Sequence, residues 1–177
     1  MHEDILKVLL SEQELHERIA QLGETLSKEY AGKNPLFVGI LKGVVVFFAD
    51  MIRAVDIPCE IDFMAVSSYS GTESTGSLKI KKDLGVDIRG RHVVILEDIL
   101  DTGLTLSRTV ELLKSREPAS LKICTLLDKP DRRTAPIQAD FVGFTIPNEF
   151  VVGYGLDFNE KYRNLPYVGI LKPEAYA

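Results

Sequence analysis

The run Val93-Val94-Ile95-Leu96, followed at once by Glu97-Asp98-Ile99-Leu100-Asp101, constrains the fold more than any other stretch of the chain. Four consecutive apolar residues call for a strand buried on both faces, the pattern of a parallel sheet with helices on either side. Two adjacent carboxylates end that run, and a third opens the turn Asp101-Thr102-Gly103-Leu104-Thr105. A helical pattern follows, with Leu106, Val110 and Leu113 on one face. Small residues, hydroxyls and backbone N–H groups at a helix N-terminus suit a phosphate. Carboxylates beside such a cradle call for Mg2+ or for sugar hydroxyls that need acceptors.

Strands and helices alternate along much of the chain. Ser11 and Glu14 form a capping box, and Leu15, Ile19, Leu22, Leu26 and Tyr30 recur at helical spacing up to about Gly32. Residues 36–41 read as a strand, and Phe47, Met51, Ile52 and Val55 mark a second helix. Further strands are expected over 57–66, 78–82, 93–97, 121–127, 141–144, 150–154 and 167–171. The order predicts an α/β fold with a parallel-rich twisted sheet flanked by helices. With 177 residues and no repeat or linker, one domain over 1–177 is expected, its ligands at the carboxyl ends of the strands.

A net charge of -5 argues against general attachment to nucleic acid or to an anionic membrane. Cys59 and Cys124 are far apart and read as reduced core residues; no signal-peptide pattern opens the chain, so a cytoplasmic location is expected. Residues 67–77 are almost entirely Ser, Thr and Gly. By composition they form a surface loop, and their length within a compact domain suggests a lid that Tyr69 could seat.

Each candidate has an ordinary structural reading. An acidic pair such as Glu97-Asp98 is commonly a solvated loop start; here a buried strand precedes it and an anion-type turn follows. Strand alternation sends the two side chains to opposite sides, fitting two parts of one ligand. Asp101 alone could be a helix cap. Lys42 could be a solvated lysine after a strand, Lys129 part of the charged turn 128–133, Phe150 plain core and Arg163 a surface residue. His2, His16 and His92 belong to no ligand cluster.

The segment 97–105 resembles the phosphoribosyl-diphosphate signature of type I phosphoribosyltransferases. Leu41-Lys42-Gly43, Ser68-Tyr69, Leu127-Asp128-Lys129-Pro130 and the 149–157 run Glu-Phe-Val-Val-Gly-Tyr-Gly-Leu-Asp resemble the hypoxanthine-guanine family in its bacterial form. The likeness covers nearly all 177 residues and implies the type I phosphoribosyltransferase fold, whose small hood subdomain is built from terminal segments. It implies Mg2+-dependent transfer of phosphoribosyl from 5-phosphoribosyl 1-diphosphate to hypoxanthine or guanine, giving IMP or GMP and diphosphate.

By the same resemblance, Glu97 and Asp98 hold the ribose hydroxyls, directly or through Mg2+. Thr102, Gly103, Leu104 and Thr105 wrap the 5′-phosphate. Lys42 and Gly43, which follow a Leu41–Lys42 bond that is often cis in the family, present N–H groups to diphosphate. Ser68 and Tyr69 join the phosphoribosyl-diphosphate site, and Arg163 grips diphosphate. Asp101 is the general base for the purine N7 proton. Lys129 donates to the 6-oxo group, Phe150 stacks on the base, Val151 meets its edge, and Asp157 serves Mg2+ through water and faces the guanine amine. Leu104 replaces a Lys found in some relatives, leaving the anion to backbone dipoles and hydroxyls. A homodimer or homotetramer is expected by analogy. The alternatives are a xanthine- or uracil-type transferase, or a non-catalytic RNA-binding regulator on the same fold.

Overall fold

The computed structural model describes residues 1–68 and 78–176. The proposed lid, Tyr69 included, thus falls almost wholly outside the described residues. Ser68 closes a strand.

Strands β1 (Ile5–Leu10), β2 (Leu36–Ile40), β3 (Glu60–Ser68), β4 (Leu78–Lys82), β5 (His92–Leu100), β6 (Ser120–Asp128), β7 (Phe141–Thr145), β8 (Val151–Val152) and β9 (Val168–Leu171) alternate with α1 (Glu12–Glu29), α2 (Val45–Ala54) and α3 (Leu104–Lys114). The main sheet runs β4-β3-β2-β5-β6-β7. Its inner pairs are parallel, and only β4 is antiparallel to its neighbour.

The continuous apolar run of β5 is explained by two cores. Val94 and Leu96 pack with Leu15, Leu22, Phe47 and Met51 from α1 and α2. Val93 and Ile95 pack on the opposite face with Leu106 and Leu113 of α3. Successive side chains alternate between two helical layers, so neither face can be polar. The α1 capping box is present: the Glu14 N–H donates to Ser11 Oγ at 3.3 Å, and the Ser11 N–H donates to Glu14 Oε2 at 2.8 Å.

A second, three-stranded antiparallel sheet, β1-β9-β8, joins both ends of the sequence into the hood. Residues 5–10 carry no strand signal among those expected from the sequence, yet they form β1. Its partner β9 lies at the other end of the chain, so local periodicity says little about it. Boundaries moved as well: β3 begins at Glu60, α1 ends at Glu29, and β8 covers only two residues of the expected 150–154 strand. Residues that follow Val152 turn instead, because Gly153, Tyr154 and Gly155 all take positive φ. Among the described residues no helix is long and apolar enough to cross a membrane.

Candidate active site

The C-terminal ends of β2, β5 and β6 converge beneath the hood, where loops of an α/β sheet hold ligands. β5 runs on to Leu100, three residues past the expected end, so Glu97 and Asp98 lie within the paired strand. Asp101 follows directly. Gly103, with φ of 79°, then serves as the N-cap of α3, a backbone shape that glycine adopts without steric penalty. Leu104 at the helix start is half exposed. Its N–H lies 3.4 Å from Thr102 Oγ1, and the Thr105 carbonyl accepts from the Thr109 hydroxyl at 2.9 Å.

Glu97 and Asp98 are electrostatically strained. Burial, then the charge and hydrogen bonding of Asp98, raise the Glu97 carboxyl well above the usual carboxylate range. Burial pushes Asp98 up to about 6, against the lowering effects of the Ile99 N–H and the Arg163 charge. Alternation along the strand predicted opposite directions, yet the two carboxyls act directly on each other. Glu97 Oε2 is buried without a hydrogen-bond partner among the described residues. Such an orphan acceptor beside a second carboxylate fits a hard cation. Among the described residues no cluster of three or more acidic, His or Cys side chains is poised around a metal. Two carboxylates suit Mg2+, which keeps waters and shares phosphate oxygens with its substrate.

Two loops, the one between β2 and α2 and the one between β8 and β9, interlock around this pair. A Cβ on Gly43 would meet Asp98 Oδ2 at 1.8 Å, and one on Gly155 would meet the Gly43 carbonyl at 2.0 Å. Position 155, with φ of 98° and backbone against it, therefore requires glycine, whereas a side chain at position 43 would displace the Asp98 carboxylate. The Leu41–Lys42 peptide is cis. Lys42 Nζ pairs with Glu160 at 3.1 Å, and Glu160 pairs with Arg163 at 3.3 Å. Arg163 also binds Asp157 at 3.0 Å and the Gly155 carbonyl at 2.8 Å, while its Nε is buried without a partner among the described residues. Asp157 further accepts from the Glu160 N–H at 2.8 Å. The Tyr154 hydroxyl donates to Asp50 of α2, pinning the 153–157 turn to the main domain layer.

A cavity of about 460 Å³ opens beside these loops. Asp101, Lys129, Phe150, Val151 and Asp157, five residues singled out in the sequence, all line it. Lys129 is 7% exposed and donates from Nζ to the Glu149 carbonyl at 2.8 Å. Burial lowers its ammonium below the usual range, partly offset by Asp101. Asp101 Oδ1 lies 3.3 Å from Arg132 Nε. Phe150 stacks on Tyr176, with centroids 4.7 Å apart and planes 18° from parallel.

Lys42, Gly43, Glu97, Asp98, Asp101, Lys129, Phe150, Val151, Asp157 and Arg163 are thus gathered around one region by strand ends, loops and ion pairs. Ile99, Arg132, Leu156 and Tyr176 also line the cavity and were not foreseen. Ile99 and Leu156 sit inside recognisable motifs and offered a signal; Tyr176 offered none.

A sheet that delivers carboxylates and an anion-type turn to one rim, facing a cavity with an aromatic and a lysine, defines an α/β ligand-binding protein. Residues 4–159 match the phosphoribosyl transferase domain family. The chain is 56% identical to the hypoxanthine-guanine phosphoribosyltransferase of Streptococcus pneumoniae strain R6, over 100% of this chain and 99% of that relative. It is 58% identical to the bifunctional protein TilS/HprT of Listeria monocytogenes, covering 100% of this chain but 28% of that relative's length. A crystal structure of a hypoxanthine phosphoribosyltransferase from Staphylococcus aureus superposes with a TM-score of 0.97 at 56% identity, over 100% of this chain and 97% of that one. The chain belongs to the phosphoribosyltransferase domain family, and within it to the hypoxanthine-guanine phosphoribosyltransferases.

Proposed function

We propose that this protein salvages purines by transferring phosphoribosyl from 5-phosphoribosyl 1-diphosphate to N9 of hypoxanthine or guanine. The observation that carries the reading is the single cavity lined by Asp101, Lys129, Phe150, Val151 and Asp157, next to the Asp101–Thr105 turn. In the reaction N9 bonds to the ribose anomeric carbon as the bond to the diphosphate oxygen breaks. The N7 proton passes to Asp101. Lys129 carries donors only, so it matches a 6-oxo group and leaves the amine of adenine unpaired. Phe150 stacks on the base, and the Val151 backbone and Asp157 face its edge. Backbone amides and hydroxyls over 102–105 hold the 5′-phosphate.

Glu97 and Asp98 would bind the ribose hydroxyls and hold Mg2+, with Asp157 also serving the ion; when bound, it would supply charge neutralisation for the departing diphosphate. Arg163, Lys42 and the Gly43 backbone face that diphosphate; the expected contribution of Tyr69 lies outside the described residues. Self-association into a homodimer or homotetramer is proposed by analogy with the family alone. A cytoplasmic location accords with free Cys59 and Cys124.

A coupled assay with hypoxanthine, guanine, xanthine, adenine and uracil tests the proposal. Turnover of the first two, at least about a hundredfold above adenine and uracil in kcat/KM, is expected. Preference for xanthine or uracil, or no transfer at all, overturns it. Salt-dependent RNA binding without transfer would mark a regulator instead.

A further inference from the structure

Arg133, which reads in the sequence as one more charge in a turn, is built into the back of the anion-binding turn. Its side chain is 15% exposed. Nε donates to the Asp101 carbonyl at 3.0 Å, Nη1 to the Ile137 carbonyl at 2.9 Å and Nη2 to the Leu100 carbonyl at 3.3 Å. Nη2 also meets the Asp128 carboxylate. Neighbouring backbone completes the set: the Lys129 N–H donates to the Leu100 carbonyl at 3.0 Å, and Thr134 and Ala135 donate to the Thr102 carbonyl at 3.0 and 3.1 Å. A Cβ on Gly103 would come within 3.1 Å of Arg133 Cδ and 2.5 Å of Ile137 Cγ2, so the turn lies directly on this support.

The consequence follows from peptide geometry. In a trans peptide the carbonyl and the following N–H point in opposite directions. Three successive carbonyls, those of Leu100, Asp101 and Thr102, are tied back toward the 129–135 segment. The N–H groups of Asp101, Thr102 and Gly103 must then face away from it. We infer that Arg133 is a positioning residue that aims this row of N–H groups at the 5′-phosphate of the substrate, and that it touches no substrate itself. The inference rests on the phosphoribosyltransferase reading of the turn. A planar guanidinium serves four acceptors in fixed directions, which an ammonium cannot reproduce.

The test compares IMP with inosine, which lacks the phosphate, by calorimetry on the full chain and its R133K and R133A variants. IMP binding should weaken about thirtyfold in R133A and about tenfold in R133K, with inosine binding unchanged within about twofold. Equal weakening of both ligands, or no change in either, overturns the inference. If neither variant folds, Asp128→Asn is measured in the same way. A loss of about threefold confined to IMP supports the role, and unchanged IMP binding removes it. A parent protein that binds IMP no better than inosine would overturn the reading of the turn itself, and this inference with it.

Discussion

The two halves of β5 share one backbone and one partner strand but do opposite things. Residues 93–96 place four fully buried apolar side chains alternately in two cores. Residues 97–100 continue in unbroken register with β6, Glu97 opposite Thr125 and Ile99 opposite Leu127. Here the side chains include two carboxylates raised by burial, one with an orphan oxygen, and Asp101 stands just beyond. Sheet hydrogen bonds, the buried Leu100, and Ile99 packed on the first core hold the second half in place, which frees the Glu97 and Asp98 side chains for the site. Stability is supplied mainly upstream and chemistry downstream, on the same strand.

The sharpest way to break that contrast is to change one residue on each side of the boundary. Asp101→Asn keeps the shape of the side chain and removes its capacity to accept a proton. Its kcat should fall by about 10² to 10⁴, with IMP affinity and melting temperature nearly unchanged. Ile95→Ala should do the reverse, losing about 2–5 kcal/mol of stability through the cavity it leaves, while the folded fraction keeps its kcat. Steady-state kinetics and denaturant titration on both variants decide. If Asp101→Asn unfolds the protein, or Ile95→Ala abolishes turnover in folded material, the division of labour along β5 is wrong.

A second prediction concerns the charge held at the boundary. A carboxyl whose folded-state value is raised favours the protonated form of the folded protein. Its ionisation therefore lowers stability as pH rises from the ordinary range toward the raised value. For Asp98, pushed from 3.8 up to about 6, the difference corresponds to about 2–3 kcal/mol. Asp98→Asn should thus be more stable than the parent above about pH 6, and the gain should vanish near pH 4. Glu97→Gln should move in the same direction. Both should raise the KM for 5-phosphoribosyl 1-diphosphate. The parent's KM should rise as pH falls through about 6, when Asp98 takes up its proton. Urea titrations at several pH values would expose the error if either variant is less stable than the parent at pH 8.

The legible part of this molecule was the part where local pattern and final environment coincide. The run 93–96, the 11–14 capping box and the apolar faces of α1, α2 and α3 each state their burial in a few consecutive residues. Glu97, Asp98 and Asp101 stand out because carboxylates interrupt an apolar run, and recognised motifs carried Lys129, Phe150 and Arg163. What sequence could not supply was meaning that arises only by assembly. β1 pairs with β9 across nearly the whole chain. Arg133 looks like its neighbour Arg132 until the fold sets it beneath three carbonyls. Alternation was right about the backbone of Glu97 and Asp98, yet it did not anticipate that their carboxyls would influence each other.

Phe150 offers the smallest and finest test of the same contrast. Phe37 and Phe47 are wholly buried, whereas Phe150 is 39% exposed at the cavity wall. It is held by Tyr176 against one face and by Phe158 edge-on, at 5.6 Å and 87°. A ring so placed contributes little to stability but keeps surface available for a planar base. Phe150→Ala should raise the KM for hypoxanthine and guanine about tenfold, within the range of base–aromatic stacking. The KM for 5-phosphoribosyl 1-diphosphate should stay within about twofold. Stability should fall by less than about 1 kcal/mol, against about 3–5 kcal/mol for Phe47→Ala in the core. A Phe150→Ala protein that loses several kcal/mol yet binds its bases as before would return this ring to the fold and remove it from the site.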